Sequence, residues 1–245
     1  MTSTLKIDTI EPEGATTTLT VGESGQNTVI AGAGIKANVL KDAGANAIFT
    51  SNGSGVLSGV NAGFGSAMAL LSTQTADDSA SISFTSGIDS TYDEYRFFLI
   101  NMNPASNDIY FQFQCSTDGG SNYNTTVTST AFTAYLSESG GGGVLQYRTS
   151  EAQAQGTAFQ DISGSVGNAS DKSNVVQLHL YNPASTTYVK QWYSKSNAVN
   201  GDGTPTFNNE YMGGYFNTTS AINAVQFKFE SGNINEGTIK MYGIK

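Results

Sequence analysis

Ile109-Tyr110-Phe111-Gln112-Phe113-Gln114-Cys115 decides the fold of this chain. On an extended backbone Ile109, Phe111, Phe113 and Cys115 fall on one side, and Tyr110, Gln112 and Gln114 on the other. Strict alternation with one dry face marks a half-buried antiparallel strand, because successive side chains of a strand point to opposite faces. Val176-Gln177-Leu178-His179-Leu180-Tyr181 repeats the pattern, as does Val225-Gln226-Phe227-Lys228-Phe229-Glu230. Less regular strand candidates are Ser81 to Phe84, Tyr95 to Met102, Ala131 to Leu136, Val144 to Arg148, Thr187 to Ser194, Met212 to Phe216 and Thr238 to Tyr242. Met68-Ala69-Leu70-Leu71 fits a short helix and a strand equally.

Turn formers separate these runs: Asn103-Pro104, Asp118-Gly119-Gly120, Gly140 to Gly143, Asn182-Pro183, Asn200-Gly201-Asp202-Gly203 and Ser231-Gly232-Asn233. Roughly ten strands without a long helix predict a two-sheet β-sandwich of jelly-roll type over residues 66–245.

Residues 1–65 have a different character. They hold two of the chain's 26 aromatic residues, Phe49 and Phe64. Their apolar runs are very short and cut by glycine: Leu5-Lys6-Ile7, Leu19-Thr20-Val21, Thr28-Val29-Ile30, Val39-Leu40, Ala47-Ile48-Phe49 and Val56-Leu57. Ordering the backbone costs roughly 1–2 kcal/mol per residue, which such runs cannot offset by burial within one copy. The segment reads as a Gly-rich intertwined β-prism or β-helix-like element whose core is shared between copies; the alternative is a flexible Gly/Ser/Thr-rich tail. The chain is therefore expected to comprise an anchoring and trimerising β segment (1–65) and a sandwich domain (66–245).

Composition excludes several function classes. Charged residues make up 13% of the chain and the net charge is −9, so nucleic-acid binding through a basic footprint is not expected. Attraction to anionic membranes is disfavoured for the same reason. The longest apolar runs, such as Phe97 to Ile100, are far too short for membrane insertion, and the first residues lack a signal-peptide pattern. Cys115 is the only cysteine, which rules out an intrachain disulfide and a cysteine-based zinc site built by one chain.

Candidate chemistry is sparse. Val29-Ile30-Ala31-Gly32-Ala33-Gly34-Ile35-Lys36-Ala37 fits a strand followed by G-x-G-x-x-A, but Gly44 cuts the following helix short and no acidic residue follows at the required distance. His179, the only histidine, has the parity of the polar face and reads as a solvated strand residue. The acids, among them Asp77-Asp78, Asp93-Glu94, Asp108, Asp161 and Glu210, are scattered, and none pairs with another at glycosidase spacing by sequence. Asp118-Gly119-Gly120 and Asp202-Gly203 read as turns without calcium-loop spacing. No cofactor, no metal site and no enzymatic activity are expected.

Aromatic residues in polar surroundings remain: Tyr123, Tyr135, Trp192, Tyr193 and Tyr211. Broad rings with a polar tip suit stacking on sugars or contact with protein. Tyr188, Lys190 and Trp192 share one strand parity, so that face reads equally as sheet core.

Ser3-Thr4-Leu5-Lys6-Ile7-Asp8-Thr9-Ile10 resembles the start of tail-fibre-like virion proteins of marine tailed bacteriophages, as do Thr18 to Val29 and Gly53 to Val60. Tyr92-Asp93-Glu94-Tyr95, Ser116 to Tyr123 and Gly237 to Ile244 resemble the C-terminal sandwich domains of such fibres. The resemblance carries no catalytic residue. It implies attachment of the N-terminal segment to other virion proteins of the tail or capsid, a homotrimeric shaft, and a distal domain for host-cell attachment. The expected function is a trimeric tail fibre or spike structural protein, made in the host cytoplasm and carried on the virion, that adsorbs to a host-surface glycan or protein receptor. The alternatives are a capsid or tail decoration or assembly protein with no receptor role and, less favoured, a fibre-borne polysaccharide depolymerase.

Overall fold

The computed structural model describes residues 39–41, 47–51, 54, 57–58, 68–141, 143–201 and 203–245, and the chain divides into two units, Met1–Phe64 and Gly65–Lys245. The described residues are all-β and contain no helix.

In the first unit, β1 (Val39–Lys41), β2 (Ala47–Ser51) and β3 (Leu57–Ser58) form an antiparallel sheet in the order β1-β2-β3. The prism expected over 1–65 lies for most of its length outside the described residues, as does the glycine motif at residues 29–37.

The second unit is built from twelve strands in two antiparallel sheets. They are β4 (Met68–Ser79), β5 (Ile82–Phe84), β6 (Glu94–Pro104), β7 (Phe111–Ser116), β8 (Val127–Ser137), β9 (Val144–Tyr147), β10 (Gln160–Asp161), β11 (Asn174–Tyr181), β12 (Lys190–Val199), β13 (Thr206–Phe216), β14 (Ala224–Phe229) and β15 (Ile234–Ile244). The small sheet runs β10-β7-β14-β5 and the large sheet β4-β15-β6-β11-β12-β13-β8-β9. Met68-Ala69-Leu70-Leu71, open between helix and strand from its own residues, opens β4. That strand runs on through Asp77 because β15 supplies a ladder partner from Met68 to Ser79.

The three alternating stretches behave as their periodicity demands. Phe111, Phe113, Cys115, Val176, Leu178, Leu180, Val225, Phe227 and Phe229 are all buried in one core. Rings from the two sheets meet there: Phe84 lies 5.4 Å from Phe97, Phe97 5.2 Å from Phe227, and Phe113 5.0 Å from Trp192 and 5.5 Å from Phe216. All but the tilted Phe97–Phe227 pair meet edge to face, which satisfies the ring quadrupoles, and each such ring adds about 1.5–3 kcal/mol through burial. The two sheets thus pack face to face as a β-sandwich. On the polar side of β7, Gln114 is buried as well. Its Nε2 donates to the carbonyls of Thr157 and Ala158, and its Oε1 accepts from the Cys115 amide.

Candidate functional site

The register of the large sheet lines up its outward-facing residues into rows. One row runs Tyr147, Phe132, Tyr211, Lys195, Gln177, Phe98 across six strands. The Phe132 and Tyr211 rings stack 5.1 Å apart at 9°, and the Lys195 ammonium sits 5.4 Å over Tyr211. The next row runs Tyr193, His179, Arg96, Tyr242. Phe132, Tyr147, Tyr193 and Tyr211 are exposed, as are Leu145 and Phe207 on the neighbouring rows. Between Phe98, Ile100, Val175 and Lys195 this face is indented by a groove of about 250 Å³. Monomer surfaces seldom carry so much contiguous aromatic area without using it.

His179 does have the parity of the outer face, but it is not solvated. It is 7% exposed, stacked 4.2 Å under Tyr193, and its Nδ1 is 2.5 Å from Glu94 Oε1. Arg96 closes the same carboxylate from the other side, with Nε donating to Oε1 at 2.8 Å and Nη2 to Oε2 at 3.1 Å. Burial pushes the Glu94 carboxyl up, but its bonds to Arg96 and His179 outweigh that and hold it below the ordinary range. The expectation of a solvated histidine fails because Tyr193 roofs the ring and Glu94, 85 residues away in sequence, satisfies it.

The five aromatic residues singled out in the sequence do not form one site. Tyr193 and Tyr211 lie exposed on the outer face of the large sheet. Tyr135 is half-buried on β8, and Tyr123 is half-buried in the β7–β8 connection. Trp192 is corrected outright: it is 3% exposed and packs on Phe113 and Phe216, so it belongs to the core. Lys190 shares that buried side, its ammonium donating to the carbonyls of Tyr188 and Thr218. Tyr188 lies before the start of β12 and is exposed.

A second grouping was invisible in the sequence. Glu151, Asp161 and Glu210, scattered over 60 residues, interact around Arg148. Arg148 Nε donates to Glu151 at 2.7 Å and its Nη2 to the Tyr110 hydroxyl at 3.1 Å. Asp161 accepts from Gln112 Nε2 at 2.8 Å. Burial, reinforced by the neighbouring acids, pushes Glu210 up to about 8 and Asp161 up to about 7; it raises Glu151 too, despite Arg148. No local sequence signal unites these residues, because their approach depends on the pairing of β13 with β8 and of β10 with β7.

Asp118 is consumed by its own turn. Its Oδ1 accepts from Ser116 Oγ and the Asn122 amide and its Oδ2 from Asn122 Nδ2, bonds that hold its carboxyl down at about 2. Asp202 lies outside the described residues. Among the described residues no group of three or more His, Cys, Asp or Glu is placed to hold a metal ion, and no helix is long and apolar enough to cross a membrane.

No protein-family model, curated protein or solved structure matches this chain.

Proposed function

We propose that this chain is a trimeric tail-fibre or spike protein of a bacteriophage virion, anchored through its N-terminal segment and adsorbing to the host surface through its C-terminal sandwich. The observation that carries the reading is the exposed aromatic face of the large sheet, with Tyr147, Phe132 and Tyr211 in register on adjacent strands and Tyr193 in the next row. Flat rings flanked by Lys195 and Gln177 suit contact with sugar rings or a receptor protein. Trimerisation multiplies weak contacts into firm attachment. The intertwined β-prism assigned to residues 1–65 supplies that trimerisation.

Strand order supports a jelly-roll form of the sandwich. The first and last strands of the small sheet, β5 and β14, pair with each other, and β14 also pairs with β7, as a chain wrapped back along itself requires. In the large sheet β4-β15-β6-β11 run side by side as β5-β14-β7-β10 do in the small sheet, and β12, β13, β8 and β9 extend the large sheet beyond β11.

Competition with phage adsorption tests the reading. The purified full chain is expected to reduce adsorption to the host, and a Tyr193→Ser/Tyr211→Ser variant to lose that effect while remaining folded at the assay temperature. Failure of the unmodified chain to compete favours a decoration or assembly role. A stable monomer in mass photometry overturns the trimer.

A further inference from the structure

Glu210 is 2% exposed, yet its Oε2 has no hydrogen-bond partner in the protein. It is one wall of a polar pocket of about 220 Å³, with Tyr135, Gln146, Arg148, Asn200 and Asn208 among the others. Asn208 and Glu210 are alternate residues of β13 on the side that carries Met212 into the core, and Tyr135 extends from the same side of β8 as buried Thr133. The β10–β11 connection closes on the carboxylate so tightly that a Cβ on Gly164 would lie 2.9 Å from Glu210 Oε1. A buried polar atom without a partner is costly, and a ligand group seated in the pocket that Glu210 lines can supply the missing partner.

We propose that this pocket is a binding subsite for a single neutral pyranose unit of a glycan. Its volume is below the roughly 300–1,000 Å³ of pockets for drug-sized ligands, which suits one sugar ring. Amide side chains of Gln146, Asn200 and Asn208 both donate and accept, as sugar hydroxyls do, and Tyr135 adds an aromatic ring to the wall. Burial keeps Glu210 protonated near neutral pH, and a carboxylic acid also offers one donor and one acceptor to vicinal hydroxyls. Arg148, the one cation of the wall, is already bonded to Glu151, so an acidic sugar finds no uncompensated positive charge there. The subsite rests on the adsorption reading above and names its substrate class. It lies on the opposite side of β13 from Tyr211.

Nuclear magnetic resonance titration of the full chain with methyl α-D-glucopyranoside, methyl α-D-galactopyranoside and N-acetyl-D-glucosamine tests the assignment without any cell or phage. The expected result is millimolar binding of at least one sugar, with shifts centred on the side-chain amides of Gln146, Asn200 and Asn208, and weaker binding of D-glucuronate. Asn208→Ala is expected to weaken binding roughly tenfold, the loss of one good hydrogen bond, and Glu210→Gln to change it as well. Asn208 is half-buried, unlike Glu210, so its variant keeps the test valid should Glu210→Gln fail to fold. No shift with any of the three sugars, or shifts centred on Tyr211 and Phe132, overturns the subsite. Sugar binding in the pocket by a chain that does not compete for adsorption supports the subsite and overturns the adsorption role.

Discussion

His179 Nδ1 lies 2.5 Å from Glu94 Oε1, joining β11 to β6 on the outer face of the large sheet. Arg96 holds the same carboxylate, and Tyr193 covers the imidazole. Hydrogen bonds to an ionised group contribute about 1.5–3 kcal/mol when sheltered from water.

Glu94→Gln is expected to destabilise the sandwich by about 1–3 kcal/mol, measured by urea unfolding. A Glu94→Gln/His179→Ala double-mutant cycle is expected to give a coupling energy of about 0.5–3 kcal/mol, since the two groups touch. Additive single effects would show that the pair carries no net interaction.

Glu210, Asp161 and Glu151 make stability fall as pH rises. Their ordinary values are 4.5, 3.8 and 4.5, and the fold raises all three, Glu210 to about 8 and Asp161 to about 7. Over that interval the folded chain keeps protons that the unfolded chain has released, so rising pH favours unfolding. The melting temperature is expected to be higher near pH 5 than near pH 8, with each kcal/mol worth roughly 2–4 °C at this size. Glu94 and Asp118, both lowered, contribute stability that is lost only on further acidification, as pH falls through their folded values. Glu210→Gln should flatten the slope between its ordinary value of 4.5 and about 8; an unchanged slope would remove Glu210 as its source.

Gly214 and Gly213 are neighbours with opposite tolerance. A Cβ on Gly214 would fall 2.2 Å from the Thr128 carbonyl oxygen and 2.9 Å from Ser129 Cα, both backbone atoms of the paired strand β8. On Gly213 it would meet nothing closer than 3.5 Å. Gly214→Ala is expected to cost about 1–3 kcal/mol by overpacking, and Gly213→Ala less than about 0.5 kcal/mol, in thermal melts. Equal effects would refute the close approach.

Cys115 and Trp192 report on the core from opposite sheets. Cys115 is fully buried, and burial pushes its thiol up, away from the reactive thiolate. A thiol reagent is expected to label it only after denaturation. The emission of Trp192, packed 5.0 Å from Phe113, is expected to shift to the red in the same transition. Labelling of the native chain at the rate of a free thiol would contradict this core.

Alternation made the sandwich legible. Phe111, Phe113 and Cys115, like Val176, Leu178 and Leu180, had their inward side settled by period-two spacing alone, since that spacing needs no knowledge of a partner strand. Their burial in one core follows. β4 was ambiguous at its first four residues and unread beyond them, because its ladder with β15 pairs residues more than 150 positions apart. Of the candidate site, Tyr193, Tyr211 and Tyr135 were legible as rings in polar surroundings; only the structure exposes the first two on one face and sets Tyr135 in the wall of the Glu210 pocket. Trp192 was not, because its inward side depends on which face of β12 meets Phe113.

The sequence by itself therefore determined the three alternating strands, β7, β11 and β14, and which face of each is dry. Tertiary structure decided that Glu94 reaches His179, that Phe132 stacks on Tyr211, and that Glu151, Asp161 and Glu210 converge on Arg148. The reason is physical: face alternation is a property of a single strand, whereas pairing, register and the burial of a charge are properties of strands brought together.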